Sequence, residues 1–307
     1  MEESQLRRIR DLAAAGEEAR LSLEAGGRTF VRRFQPKPRL ILLGGGHVAL
    51  ALCGFGARLG FSVAVCDDRP AFANEARFPE ADRVICDSFE AAVRQLELRD
   101  SDYVCVMTRG HRWDRACLDA IFAGPQPAYL GMLGSHRRSA GMRRALLEAG
   151  VPAERVEALR APIGLAIGAV TPEEIAVSVC AQLIQCRRAA EPPAADCLEE
   201  TAADPAVLDF LAEADRPRAL LMVVSVQGST PAKPGAMMAV DRLGTALGTV
   251  GGGCAEAAAM ARARRLIGSG EQVLFSVDLS DEEAAREGMV CGGSMEVLIA
   301  DVTAPAG

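Results

Sequence analysis

Long apolar runs are missing from this chain of 307 residues. None reaches the ~18 residues that a membrane-crossing helix requires, which argues against a helical anchor. A basic stripe is also missing and the net charge is −7 at pH 7, so a general nucleic-acid binder is not expected. The opening, Met1-Glu2-Glu3-Ser4-Gln5, lacks the charged-then-apolar layout of a secretory signal, and the cytoplasm is the expected compartment. The ten cysteines include no Cys-x-x-Cys and no Cys/His pair at zinc spacing, so no metal centre is expected. In the cytosol such thiols stay reduced. Histidine is scarce, with three in the chain. No internal repeat and no low-complexity tract is present.

What remains has ordinary globular composition, half apolar and 24% charged. At this length two domains are expected rather than one core. The stretch 39–57 organises the first. Leu40-Ile41-Leu42-Leu43 is a continuous apolar run, as a strand buried on both faces has. Gly44, Gly45 and Gly46 then turn the chain into a helix of small residues. Gly44-x-Gly46-x-x-Ala49 fits the dinucleotide fingerprint, with Ala49 in its third place. Such a loop lets backbone approach a ligand and aims helix N–H groups at a phosphate. Asp67 and Asp68, about 20 residues on, supply the acidic end of a second strand.

A preamble over 1–38 contains an amphipathic helix with Leu6, Ile9 and Leu12 on one side. A hairpin turning at Ala25-Gly26-Gly27 follows it. Strands over 39–43, 61–66, 83–86, 103–107 and 129–133, with helices near 113–122 and 139–149, predict a Rossmann-like parallel sheet over 39–188. Thr171, Pro172 and Glu174 form a capping box, and Ile175, Val179, Leu183 and Cys186 continue at helical spacing as the closing helix. A linker over 189–203, containing Pro192-Pro193, leads to a smaller α+β domain over 204–307. Its strands are expected near 219–226, 237–240, 273–277 and 295–299, with a helix over 255–267.

Cys53, Cys66, Cys86, Cys105 and Cys180 lie inside apolar elements and read as small core residues. Cys254 and Cys291 instead lie against glycines. Cys254 follows Gly251, Gly252 and Gly253 and opens a helix, where the dipole favours a thiolate. Glu256 in the same first turn is either a proton acceptor or a helix-stabilising carboxylate. His111, beside Arg109 and Asp114, follows a buried strand at the edge where open α/β sheets bind ligands. Those three residues suit an anion clasp or proton transfer; a structural histidine is the alternative. His136, with Arg137 and Arg138, reads as a basic loop after Ser135 that suits phosphate capture or is solvated surface.

Several runs together resemble the XdhC/CoxI family, the accessory proteins of molybdenum hydroxylases such as xanthine dehydrogenase. In the first half they are Gly44-Gly45-Gly46-His47-Val48, Asp67-Asp68-Arg69-Pro70, Arg77-Phe78-Pro79, Thr108-Arg109-Gly110-His111-Arg112-Trp113-Asp114, Gly131-Met132-Leu133-Gly134-Ser135, and 163–168 with 171–176. In the second they are 228–236, which holds Ser229, Lys233 and Gly235, then 248–254 with Glu256, and 291–297. The family usually places the glycine-and-cysteine domain first. Here the order is reversed, so an interface between chains can stand in for one within a chain, and a homodimer is expected.

The resemblance implies a factor that binds the molybdenum cofactor (molybdopterin), supports its sulfuration and delivers it to an apo-hydroxylase. It implies a carrier or chaperone before a turnover enzyme. On this reading Gly44, Gly45, Gly46 and His47 hold the pterin phosphate or a nucleotide; a bare structural turn is the alternative. Asp67 contacts a ribose or pterin group, or is a solvated carboxylate paired with Arg69. Cys254 and Cys291 carry persulfide sulfur or touch molybdenum, with a cysteine desulfurase as the sulfur source. The competing functions are an NAD(P)-dependent oxidoreductase, for which no hydride-transfer dyad is visible, and a persulfide-carrying sulfurtransferase.

Overall fold

The computed structural model describes residues 1–15, 17–34, 37–189, 197–199, 205–212, 216–228, 230, 232–278 and 293–302. The chain divides into two compact units, Lys37–Glu191 and a discontinuous one made of Met1–Pro36 with Pro192–Gly307.

The chain opens with helix α1 (Glu3–Ala14) and the antiparallel strands β1 (Ala19–Ala25) and β2 (Arg28–Phe34). Gly26 and Gly27 make the turn at φ +60 and +72, which admits glycine readily. β1 alternates buried and exposed residues, so only one face of the hairpin is apolar.

The parallel unit follows. Its strands are β3 (Arg39–Leu43), β4 (Ser62–Asp67), β5 (Arg83–Cys86), β6 (Tyr103–Val106) and β7 (Tyr129–Met132). Their order across the sheet is β5-β4-β3-β6-β7, all parallel. Between them run α2 (His47–Arg58), α3 (Phe89–Leu96), α4 (His111–Phe122), α5 (His136–Glu148), α6 (Ala153–Ala158) and α7 (Pro172–Ala189). Residues of α2 and α7 share one core with Leu40, Leu42 and Val65. Residues of α3, α4 and α5 share another with Ile41, Leu43 and Val106. Layers of helix on both faces explain why β3 is apolar from Leu40 to Leu43. Leu40 to Leu43 are each 0% exposed, worth about 1.5–3 kcal/mol per side chain. Close helix–strand packing needs small residues on α2. Ala49 is fully buried, and a Cβ at Gly56 would stand 2.6 Å from Leu40.

The periodicity reading does not include α3. Its signals are ordinary: Ser88 caps it by accepting from the Ala91 N–H, and Phe89, Ala92, Val93 and Leu96 form the buried stripe. Cys86 is also corrected. It ends an edge strand and is exposed, while Cys53, Cys66, Cys105 and Cys180 are buried as expected. Burial raises the Cys53 and Cys180 thiols to about 11 and Cys66 to about 12, so these are inert core residues.

The other unit resumes with β8 (Cys197–Glu199), α8 (Pro205–Ala212), β9 (Arg218–Gln227), β10 (Met237–Asp241), β11 (Ala246–Gly248), α9 (Gly253–Leu266), β12 (Gln272–Asp278) and β13 (Ser294–Val302). Five strands form an antiparallel sheet in the order β11-β10-β9-β13-β12. One face packs Leu221, Val240 and Ile299 against Ala255, Ala259 and Ala263 of α9. The opposite face packs Leu220, Met222 and Leu298 against Leu208 and Leu211 of α8, and against Leu6, Ile9, Leu21, Leu23 and Phe30. The preamble is therefore part of this unit's core. A buried ion pair ties the two pieces: Arg218 and Glu3 are 2% and 3% exposed, with Nη2 3.7 Å from the carboxylate. Among the described residues no helix is long and apolar enough to cross a membrane.

Candidate functional site

The candidate site lies at the carboxyl edge of the parallel sheet. β3 is central, between β4 and β6, and the helices that leave β3 and β6 belong to opposite cores. Open α/β sheets bind ligands at this reversal.

Gly44 and Gly45 are glycines because backbone of this same chain crowds them. Gly44 has φ +121, and a Cβ there would stand 2.4 Å from the Met107 carbonyl oxygen. A Cβ at Gly45 would stand 2.0 Å from the Phe72 carbonyl oxygen. Gly46 differs, since nothing lies within 4 Å of its Cβ position. It precedes α2 in extended conformation and offers no side-chain cap.

Asp67 organises this loop from below. It is 1% exposed. Its Oδ2 accepts from the Gly45 N–H at 2.9 Å and from Arg69 Nη2 at 3.0 Å. Its Oδ1 accepts from the Arg69 N–H at 3.1 Å and from Arg69 Nε at 2.8 Å. A carboxylate has about four lone-pair positions, and here each has a donor. Burial pushes the Asp67 carboxyl up, but the bonds from Arg69 and Gly45 outweigh it and hold the group below its ordinary value. The expected pairing with Arg69 is present, inside the fold rather than in solvent. A ribose hydroxyl would have to displace one of these donors. Arg77 Nε grips the other side of the loop, donating to the Gly45 carbonyl at 3.2 Å. Phe72 carries the Arg69 guanidinium 3.7 Å from its ring centre.

Asp68 accepts a two-pronged bond from Arg109, at 2.5 and 2.8 Å. This pair joins the end of β4 to the loop after β6, on either side of β3. Arg109 also lies 4.4 Å from the ring centre of Trp113, the single tryptophan. Asp114, expected in a clasp with Arg109 and His111, turns inward instead. It is 0% exposed, accepts from Thr108 Oγ1 at 2.5 Å and pairs with Arg138 of α5. Burial raises its carboxyl despite those partners.

All three histidines take one position. His47, His111 and His136 are the first residues of α2, α4 and α5, and all are exposed. The basic-loop reading of His136 is corrected: Ser135 is the N-cap of α5, accepting from the Arg138 N–H at 3.2 Å. Ser135 thus serves the helix. By contrast Gly46 and Gly110 give α2 and α4 no side-chain cap. The Trp113 N–H donates to the Gly110 carbonyl at 3.0 Å, and the first N–H groups of α2, with those of His111 and Arg112 in α4, have no side-chain cap and suit solvent or an anion.

The second glycine loop has its own carboxylate. Gly251, Gly252 and Gly253 have φ of +126, +74 and +63. Glu256 Oε2 accepts from Thr249 Oγ1 at 2.6 Å, the Val250 N–H at 3.0 Å and the Gly252 N–H at 3.1 Å. Burial opposes its ionisation, yet the bonds from Thr249, Val250 and Gly252 hold the carboxyl below its ordinary value. A carboxylate so held is a poor proton acceptor near neutral pH. It straps the loop to the first turn of α9. Cys254 is the second residue of that helix. Its side chain, Cys291 and Ser229 lie outside the described residues. Gly235 serves the backbone, its N–H donating to the Val223 carbonyl at 2.7 Å, and Lys233 is exposed. Among the described residues no group of three His, Cys, Asp or Glu side chains is placed to hold a metal ion.

Sequence spacing placed Asp67 and Glu256 near the glycines without revealing that each is the partner of its loop. Arg77 and Phe72, which complete the first clamp, carry no site signal in the sequence beyond the Arg77-Phe78-Pro79 run.

Two family models match the chain: the XdhC Rossmann domain over 40–183, and the XdhC and CoxI family over 211–278. A protein of Bacillus subtilis (strain 168), named as a probable component of xanthine dehydrogenase, is 38% identical over 159 residues, 52% of this chain and 46% of that protein. The uncharacterized protein YqeB of Escherichia coli (strain K12) is 41% identical over 150 residues, 48% of this chain and 27% of that protein. The crystal structure of a xanthine dehydrogenase from Bacillus halodurans superposes with a TM-score of 0.52 at 29% identity, covering 61% of this chain and 65% of that one. The matched stretch spans less than half the length of either curated relative. Two matched halves, a shared fold and the glycine loops in both units together make this chain a member of the XdhC/CoxI family.

Proposed function

We propose that this chain is an accessory factor for a molybdenum hydroxylase: it binds the molybdenum cofactor, supports its sulfuration and delivers it to the apo-enzyme. The supporting observation is the pair of uncapped helix starts, Gly46–His47 and Gly110–His111, at adjacent ends of β3 and β6. They fit the phosphate that the pterin carries, because open N–H donors and helix dipoles favour an anion. The Arg109–Asp68 pair supports the same reading, because a guanidinium that holds a carboxylate can hold a phosphate instead. Names of the matched relatives support a hydroxylase as the client.

When bound, the cofactor supplies the metal and its sulfur chemistry; this chain binds and orients. Cys254 is the second residue of α9; as a thiolate it would take the outer sulfur of a desulfurase persulfide and release the desulfurase cysteine as its thiolate. The NAD(P) alternative is weaker, because Asp67 is already held by four donors.

The test is co-purification. From a host that makes the cofactor, wild-type protein is expected to elute with a pterin at near-equal stoichiometry. Cys254→Ala is expected to keep the pterin and to lose persulfide labelling by a cysteine desulfurase, read by mass spectrometry. Pterin-free protein in both cases defeats the proposal.

A further inference from the structure

An uncompensated arginine cluster sits at the end of α9 and the turn between β10 and β11. Arg242, Arg264 and Arg265 line one concave surface with Ala261 and Ile267, and all three arginines are exposed. None makes an ion pair with a carboxylate among the described residues. Other arginines do pair with carboxylates, as in Arg39–Asp102, Arg69–Asp67, Arg109–Asp68 and Arg115–Asp119. In a chain of net charge −7, three arginines on one surface make a local positive patch.

Two of them are already oriented by backbone. Arg264 donates to the Arg242 carbonyl through Nε at 3.2 Å and Nη2 at 3.0 Å. Arg242 Nη2 donates to the Ile267 carbonyl at 2.8 Å. A guanidinium has five N–H groups, so donors remain for a partner, at reduced cost in side-chain freedom. Leu243, next to Arg242 in the same turn, is 84% exposed. Complementing the helix dipole accounts for cations at Arg264 and Arg265. It accounts for neither Arg242 nor Leu243.

We infer that this face docks an acidic segment of a partner protein, one that brings an apolar side chain to Leu243. Arginine beside an exposed aliphatic residue is interface chemistry. Nucleic acid fits poorly, because the residues lining the patch include no aromatic ring for base stacking.

The probe is a labelled glutamate-rich peptide containing one leucine, with a leucine-free twin, titrated against the full chain by fluorescence anisotropy. The triple variant Arg242→Gln, Arg264→Gln, Arg265→Gln is expected to weaken binding about tenfold, since exposed ion pairs are individually weak. Raising salt weakens the wild type similarly. Leu243→Ser weakens only the leucine-bearing peptide, by about fivefold. Far-UV circular dichroism checks folding; if the triple variant unfolds, Arg265→Glu, which breaks no backbone bond, is expected to weaken binding about threefold. Unchanged binding by the folded variants overturns the inference. So does displacement of the peptide by a single-stranded oligonucleotide at lower concentration. Sedimentation showing a wild-type dimer that these variants split would assign the face to a second copy and overturn it too.

Discussion

Replacing Gly46 by Asp separates helix stability from anion binding. Gly46 has φ −67 and ψ −173, a conformation open to any residue, and its Cβ direction is empty. An Asp there can cap α2 by accepting from its first N–H groups. Relative to glycine the cap adds a few tenths of a kcal/mol and the dipole interaction about 0.3–1 kcal/mol, so the parallel unit becomes slightly more stable. The same carboxylate occupies the donors proposed for a phosphate and repels it. Two unit charges about 4 Å apart repel by about 4 kcal/mol at an effective dielectric of about 20, and by about 1 kcal/mol in water. At this open edge about 2 kcal/mol is expected, or about thirtyfold in Kd. Trp113, under Arg109, gives the readout: its emission is followed while inorganic pyrophosphate is titrated, and a thermal melt reports stability. Gly46→Ser caps the helix without the charge and is expected to lose much less affinity. If Gly46→Asp binds pyrophosphate as wild type does, the anion does not sit at α2. If it lowers Tm, those N–H groups already have partners.

Three further outcomes follow from the packing. Gly45→Ala forces a Cβ to 2.0 Å from the Phe72 carbonyl oxygen, so the loop must shift; a loss of about 1–3 kcal/mol in urea unfolding is expected, against little change for Gly46→Ala. Asp67→Asn leaves donors from Gly45 and Arg69 unmatched, with an expected loss of about 2–3 kcal/mol at pH 7. Because the Asp67 carboxyl is held below its ordinary value, its stabilisation is full above about pH 4 and disappears as pH falls through the folded-state value. Acid titration followed by circular dichroism is therefore expected to show a shallower decline for Asp67→Asn than for wild type. Glu3→Gln removes the charged partner of buried Arg218, which keeps its bonds to the Leu211 and Arg216 carbonyls; about 1.5–3 kcal/mol is expected. Hydrogen exchange should speed in β9 and stay unchanged in β3.

Local chemistry was enough to read much of this protein from its residues. Four leucine and isoleucine side chains in a row at 40–43 demand burial on both faces, and the glycines that follow end the strand, so the parallel unit was legible. The capping box at Thr171 and Glu174 was legible for the same reason: its bonds span three residues, Glu174 N–H to Thr171 Oγ1 at 3.2 Å and Thr171 N–H to Glu174 Oε2 at 3.0 Å. Family membership rested on many short runs, each a local pattern.

Tertiary structure decided what depends on contacts between distant residues. An apolar stripe on α1 needs a surface to cover, but Leu6 and Ile9 cannot state that the surface is β9 and β13. The exposure of Cys86 follows from its place in an edge strand, which only pairing order reveals. The role of Asp67 turned on Gly45 and Arg69 reaching its four lone pairs first, and that of Glu256 on the loop folding back onto it. A carboxylate near a glycine turn reads the same in sequence whether it awaits a ligand or already holds the chain; the competition among donors is settled by geometry alone.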